Sequence, residues 1–126
     1  MNEFEHYLAN IENEDATGAS GLFQKDLLLT WESSPEELKT IFNIADALKY
    51  LHSNNISAKV FESGLAVSLF RDNSTRTRFS YASAANLLGL SVQDLDEGKS
   101  QIAHGETVRE TANMISFLSE AIGIRD

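Results

Sequence analysis

The chain has 126 residues, 42% of them hydrophobic, and a formal net charge of −9 from 19 acidic and 10 basic side chains. Its size and hydrophobic content predict one folded domain, and its negative charge argues against a nucleic-acid-binding protein, because an acidic surface repels the phosphate backbone. The sequence has no cysteine, no apolar run of membrane-spanning length and no basic-then-apolar leader. We therefore expect a cytoplasmic protein that binds neither membranes nor nucleic acids and has no disulfide or thiolate metal site.

Residues 1–20 are polar and acidic, and residues 1–33 are predicted to form an N-terminal acidic arm with a helix and a linker, with the folded domain over residues 34–126. Phe4, Leu8 and neighbouring apolar residues recur at helical spacing, which predicts a short amphipathic helix, and the segment DATGASG follows as a linker. A partly frayed arm is the alternative that the same spacing leaves open.

Strong start signals mark a long helix after the arm. Ser34 is placed as its N-cap, Pro35 as its first helical residue and Glu37 as the third position of a capping box. Apolar side chains then recur every three or four residues as far as Leu51, and HSNN ends the helix. Two short β-type runs follow, AKVF and LAVSLF, and the second predicts a buried strand over residues 65–70.

Strand and helix alternate over the rest of the chain. A helix is predicted from Ser74 to a C-terminal stop at Gly89, followed by the strand LSVQDL, a helix within ETVRETANMISFLSEA, and IGIRD, which is typical of the beginning of a strand. This alternation predicts an α/β fold with a mostly parallel sheet. Because the last predicted strand lies at the end of the sequence, we expect the chain to be the N-terminal part of a longer polypeptide.

Several side chains receive structural assignments. The aromatic residues expected in the core are Trp31, Phe42, Phe70 and Phe79. The residues predicted to face inward from the last helix are Val108, Thr111, Ala112, Ile115, Phe117 and Leu118. Those expected in a solvated acidic turn are Asp94, Asp96 and Glu97. The histidines are scattered without a ligand spacing, so no metal site is predicted.

Cations and hydroxyls are concentrated in FRDNSTRTR, where the buried strand ends and the next helix begins. Open α/β folds bind ligands at this edge of the sheet, and the free N–H groups of a helix N-terminus favour anions. The hydroxyls of Ser74, Thr75 and Thr77, with the guanidinium of Arg76, would complete a set of donors suited to a phosphate. The alternative is a helix that Ser74 merely caps, with solvated arginines. Two arginines and two threonines in a first turn are otherwise unfavourable, which favours a site.

Two motifs resemble a known family. STRTR, residues 74–78, followed by SQIAHGETVRETA, residues 100–112, is similar to the carbamoyl phosphate-binding domain of the aspartate and ornithine carbamoyltransferases. The resemblance extends over nearly the whole chain and includes similarity to the knotted, YgeW-type branch of the family. It implies a three-layer α/β sandwich that forms the N-terminal half of a two-domain enzyme. The family's His-Pro-x-Gln segment and its amino-acid-binding domain would then lie beyond Asp126.

The resemblance also implies roles for individual residues. Those that would bind the phosphate of carbamoyl phosphate are Ser74, Thr75, Arg76 and Thr77. Arg76 would in addition be catalytic, because it would neutralise charge on the departing phosphate. Gln101 and His104 would reach into the neighbouring subunit's site in a homotrimer.

Two further arginines are interpreted differently. Arg78 matches a family position that usually has a more structural role. Arg71 and Asp72 stand where many family members have a glutamate and another residue. This departure affects the identity expected for the second substrate, the one that accepts the carbamoyl group, and leaves the predicted phosphate site unchanged.

The expected function is transfer of a carbamoyl group from carbamoyl phosphate to an amine of an amino acid or related compound, with release of phosphate. Such a reaction needs orientation and charge stabilisation, and the resemblance implies no cofactor and no metal. The chain alone is expected to be inactive, because it would hold half of the site. The alternative is a non-catalytic phosphate-binding or assembly module of the same fold.

Overall fold

The computed structural model of the chain describes residues 2–6, 8–9, 19–71, 74–95, 105 and 107–125. The chain forms two compact units, Met1–Ala58 and Lys59–Asp126. The sequence predicted a different boundary, after residue 33, between an arm and a folded domain. That boundary is not tested by the division into compact units and stays a prediction. Among the described residues, no helix is both long and apolar enough to span a membrane.

The first unit is helical. Residues 3–6 and 8–9 are helical, and the elements that follow are α1 (Ala19–Leu22), a 3-10 helix (Thr30–Glu32) and α2 (Pro35–Ser53). The predicted start of the long helix is confirmed, because the Ser34 hydroxyl accepts a hydrogen bond from the Glu37 amide at 3.1 Å. In the same unit, the Phe4 ring stacks on Tyr50 with 5.9 Å between ring centroids.

The second unit is an α/β structure built on a parallel sheet. Its elements in chain order are β1 (Leu65–Phe70), α3 (Thr75–Leu88), β2 (Ser91–Asp94), α4 (Val108–Leu118) and β3 (Ala121–Arg125). The three strands are ordered β2-β1-β3, and both pairings are parallel. The predicted fold class is therefore confirmed. The run AKVF is not a strand: the amides of Val60 and Phe61 instead donate to the Leu88 carbonyl at the end of α3.

Helix α3 packs on strands β1 and β2 through small side chains. Ala66, Ala85 and Leu90 form the buried cluster, with Tyr81 and Val92 packed against it. The helix ends as predicted at Gly89, whose backbone is left-handed with φ of 103°. A Cβ at this position would lie 1.9 Å from the Phe61 carbonyl oxygen. Glycine is therefore required both by backbone conformation and by close approach.

The predicted aromatic core is only partly correct. Phe70 is 5% exposed and lies in the core, whereas the exposed fractions of the other three are 78% for Trp31, 65% for Phe42 and 72% for Phe79. A two-residue step along a helix turns the side chain by about 200°, so Phe79 points away from the face that Tyr81 presents to the sheet.

The face of α2 is explained in the same way. Its buried residues are Thr40 and Ala47, which are seven positions apart and so share one side of the helix. Phe42 follows Thr40 by two residues and lies opposite. The half-buried residues among the other apolar positions at helical spacing are Leu38, Ile41, Leu48 and Leu51. The spacing therefore identified the helix and part of its buried side.

The inward arc predicted for α4 is also only partly correct. Thr111 is buried and Ile115 is half-buried, whereas Phe117 is 89% exposed. Val108, Ala112 and Leu118 are exposed as well. The start of the helix is well defined, because Thr107 accepts a hydrogen bond from the Glu110 amide and the Glu110 carboxylate accepts one from the Thr107 amide.

The Tyr81 side chain joins α3 to the sheet. Its hydroxyl donates to the Val67 carbonyl at 3.0 Å, and its ring meets Phe70 edge-on at 5.6 Å. A Cβ at Gly123 would lie 2.5 Å from the Tyr81 ring, so β3 needs glycine at that point. Burial raises the pKa of the Tyr81 phenol above its ordinary value of 10.0, and a backbone hydrogen bond from Gly123 partly offsets this shift.

Gly89→Ala is expected to lower the free energy of unfolding by roughly 2–4 kcal/mol, because left-handed strain and a backbone clash add together. Gly105→Ala is the matched control: its φ of 102° is nearly the same, and no atom of the described residues lies within 4 Å of the added Cβ. Urea denaturation of both variants measures the difference. Equal losses at the two positions would contradict the close approach of Gly89 to Phe61.

Tyr81→Phe is expected to cost about 1 kcal/mol near neutral pH, the contribution of one hydrogen bond. Because the pKa is raised in the folded state, the stability contributed by the phenol is present below pH 10 and is lost as the pH rises through the raised value. The difference in unfolding free energy between wild type and Tyr81→Phe should therefore shrink above pH 10 in urea denaturation. A pH-independent difference would show that Tyr81 titrates alike in the folded and unfolded chains.

Candidate functional site

The carboxyl end of the parallel sheet brings three distant parts of the chain together. Strands β1, β2 and β3 end at Phe70, Asp94 and Arg125, and their register pairs Ser68 with Asp94 and Phe70 with Arg125. Helix α3 begins shortly after β1. This is the edge at which open α/β sheets bind ligands.

Helix α3 begins without the side-chain cap that the other two long helices have. Ser34 and Thr107 each accept a hydrogen bond from the third backbone amide of their helix, whereas Ser74, the N-cap of α3, makes no such bond. The first N–H groups of α3 are therefore not covered by the Ser74 hydroxyl. They carry the positive end of the helix dipole, which favours an anion.

The Ser74 hydroxyl is part of a different cluster. It donates to Thr77 Oγ1 at 2.8 Å, and one terminal nitrogen of Arg125 donates to Ser74 Oγ at 2.9 Å and to Thr77 Oγ1 at 2.6 Å. Two hydroxyls that share one mutual hydrogen bond retain one O–H proton for another acceptor. We call Ser74, Thr77 and Arg125 the hydroxyl–guanidinium cluster.

Arg125 is a site residue that the sequence interpretation missed. It is the last residue of β3, and 51 positions separate it from Ser74. A signal for it existed in the sequence, because the ends of parallel strands meet at one edge of a sheet and IGIRD ends in a cation. The register of the strands was needed to use that signal.

Arg78 is occupied by contacts with the sheet. Its two terminal nitrogens donate to Asp94 Oδ2 at 2.5 Å and to the Phe70 carbonyl at 2.7 Å. The other Asp94 oxygen accepts from Ser68 Oγ at 2.8 Å. These bonds agree with the structural role expected for Arg78. They also correct the assignment of Asp94 to a solvated turn, since Asp94 ends β2 and is held by two side chains.

Arg76 and Thr75 lie in the same first turn as the cluster and are exposed. Neither side chain makes a hydrogen bond or ion pair with another described residue. Their donors are thus not used by the described part of the chain. The structure therefore places Ser74, Thr75, Arg76 and Thr77 in one turn and adds Arg125 to them.

Two predicted site residues, Gln101 and His104, lie outside the described residues, as does Asp72. Within the described residues, no group of three or more histidine, aspartate or glutamate side chains is placed to hold a metal ion. The chemistry available from the described residues is that of hydroxyl, guanidinium and backbone N–H donors, a set suited to phosphate oxygens.

Comparisons with known proteins give a consistent result. Residues 25–126 match the family described as aspartate/ornithine carbamoyltransferase, carbamoyl-P binding domain. The chain is 74% identical over 107 residues to the YgeW protein of Escherichia coli (strain K12). This match covers 85% of this chain and 27% of that protein. It is 39% identical over 93 residues to the aspartate carbamoyltransferase catalytic subunit of Picrophilus torridus, covering 73% of this chain and 31% of the relative.

Solved structures show the same fold. The catalytic subunit of M. jannaschii aspartate transcarbamoylase matches with a TM-score of 0.70 and 29% identity, and the match covers 79% of this chain and 34% of that chain. Trypanosoma cruzi aspartate transcarbamoylase in complex with carbamoyl phosphate and aspartate matches with a TM-score of 0.77 and 22% identity. The match covers 86% of this chain and 34% of that chain. The chain thus spans about a third or less of the length of each of these relatives.

Proposed function

This chain belongs to the aspartate/ornithine carbamoyltransferase family and matches its carbamoyl phosphate-binding domain, and from that premise we propose that the whole protein transfers a carbamoyl group from carbamoyl phosphate to an amine. The amine belongs to an amino acid or related compound, and phosphate is released. The observation that carries the proposal is the N-terminus of α3, where Ser74 leaves the first N–H groups uncapped and joins Thr77 and Arg125 instead.

The phosphate of carbamoyl phosphate is proposed to lie against this first turn. Its oxygens would accept from the uncapped N–H groups, from the spare hydroxyl proton of the cluster and from the guanidinium of Arg76. Arg125 would add a second cation, since a guanidinium has five N–H donors and its bonds to the two hydroxyls leave others unused. A dianion is thus favoured at one point of a chain whose net charge is −9.

The reaction follows from these donors. The lone pair of a neutral amine forms a C–N bond with the carbamoyl carbon, and the carbonyl electrons move to oxygen to give a tetrahedral oxyanion. The oxyanion then reforms the carbonyl, the C–O bond to the phosphate breaks, and the amine nitrogen gives up a proton to the departing phosphate. Arg76 would stabilise the charge that grows on the departing phosphate. Orientation of the two reactants supplies the remaining acceleration.

Further features of the whole protein are proposed from the resemblance. The residues that select the amine would lie in the part of the relatives' length that this chain does not span. Gln101 and His104 would complete the site of a neighbouring subunit in a cytoplasmic homotrimer. The rival function is a phosphate-binding or assembly module without transfer activity, which has the same α3 terminus.

Arg76→Ala in the full-length protein is expected to lower turnover by a factor of about a hundred or more while the fold is retained, because a preorganised charge donor contributes about 3 kcal/mol to transition-state stabilisation. Phosphate release from carbamoyl phosphate in the presence of an amine measures the effect. Arg109→Ala is the matched control, since Arg109 is an exposed arginine in the first turn of α4. Near-wild-type turnover by Arg76→Ala would contradict the assignment of Arg76.

A screen of amines against the full-length protein distinguishes the enzyme from the module. We expect at least one amino acid or related amine to support phosphate release that depends on Arg76. If carbamoyl phosphate binds but no amine supports release, the non-catalytic module is the better description. If carbamoyl phosphate does not bind, both descriptions of the α3 terminus are wrong.

A further inference from the structure

The Asp94 carboxylate is held at both of its oxygens. Oδ1 accepts from the hydroxyl of Ser68, which is 3% exposed, and Oδ2 accepts from the Arg78 guanidinium. Ser68 and Asp94 are register partners in adjacent strands. The carboxylate is therefore fixed to the sheet by Ser68 while it holds an arginine of helix α3.

Arg78 connects this carboxylate to the edge of the sheet where the site lies. Its second terminal nitrogen donates to the Phe70 carbonyl, which belongs to the peptide unit between Phe70 and Arg71. The N–H of that same peptide unit donates to the Arg125 carbonyl at 3.1 Å. One peptide plane is thus held by α3 on its carbonyl side and by the end of β3 on its amide side.

These hydrogen bonds form a closed series that begins and ends on α3. The Arg78 side chain links α3 to the peptide after Phe70, and that peptide is bonded to the backbone of Arg125. The Arg125 side chain then returns to Ser74 and Thr77 in the first turn of α3. The contacts of Arg78 and the hydroxyl–guanidinium cluster therefore belong to one connected set of hydrogen bonds.

The Asp94–Arg78 pair is poorly explained by stability alone. The two side chains are 44% and 34% exposed, and ion pairs with this exposure contribute little to folding, because water screens them and both side chains lose conformational freedom. The pair has a more specific effect on charge. It neutralises Arg78, which starts one turn away from Ser74 and would otherwise be a further cation able to pair with the anion.

We propose that Asp94 is a positioning residue for the phosphate site. Acting through Arg78, it fixes the first turn of α3 against the carboxyl end of β1 and keeps the Arg78 guanidinium on the Phe70 carbonyl, so that Ser74, Thr77 and Arg125 meet. The consequence for turnover rests on the proposed transferase function, whereas the consequence for the arrangement of the site does not.

The first experiment uses the 126-residue chain without ligand. Nuclear magnetic resonance of Asp94→Asn should show shifted signals for the Thr77 amide and the Arg125 guanidinium, besides those of Arg78. Glu62→Gln is the matched control, because it removes the same charge from an exposed pair with Lys59 in the same compact unit. It should leave the Thr77 and Arg125 signals unchanged. The proposal is overturned if Asp94→Asn changes only the signals of Arg78 and Ser68.

The second experiment measures kinetics in the full-length protein. Asp94→Asn should lower kcat about tenfold, the equivalent of one charge-assisted hydrogen bond, with a much smaller change in the KM for carbamoyl phosphate. In an Arg78→Gln background, the same Asp94 substitution should have no further effect on kcat. This double-mutant cycle isolates the part of the Asp94 effect that acts through Arg78. An undiminished effect in that background, or a loss confined to KM, would overturn the proposal.

The two experiments separate the two claims. If the wild-type protein shows no turnover with any amine, the transferase function fails, and the resonance measurement alone decides whether Asp94 positions the site. If Arg78→Gln does not fold, Asp94→Asn with its Glu62→Gln control still gives a decisive result.

Discussion

The structure of the second unit depends on one constraint: three parallel strands end at the same edge, and α3 begins there. The register places Phe70 beside Arg125 and Ser68 beside Asp94, although these residues are far apart in the sequence. The first turn of α3 presents N–H groups that Ser74 does not cap. Strand ends and helix start together produce a concentration of donors, which is the physical requirement for holding a phosphate.

Three of the arginines at this edge, Arg76, Arg78 and Arg125, have different tasks, although the sequence presents them only as positive charges. Arg78 is neutralised by Asp94 and tied to the Phe70 carbonyl. Arg125 organises the hydroxyls of Ser74 and Thr77. Arg76 makes no ion pair or hydrogen bond with a described residue, and it is the cation left for a ligand. One charge is thus structural, one orients the donors and one is available for the substrate.

Local sequence signals predicted much of this fold, and they failed where long-range geometry decides. The start of α2 and the stop of α3 at Gly89 were predictable, because caps and glycine act over a few residues. The contact between Arg125 and Ser74 spans 51 positions and required the strand register. Asp94 looked like part of an acidic turn for the same reason. Phe79 was placed in the core because periodicity identifies a helix without fixing which side is buried.

The central claim is that the first turn of α3 binds the phosphate, and an amide resonance titration of the chain with inorganic phosphate tests it most directly. We expect saturable shifts that are largest at the amides of Thr75, Arg76 and Thr77 and that are lost in Arg76→Ala. The capped starts of α2 and α4 provide internal references that should not shift. Larger shifts at those helices, or none at α3, would show that the first turn of α3 does not bind the phosphate.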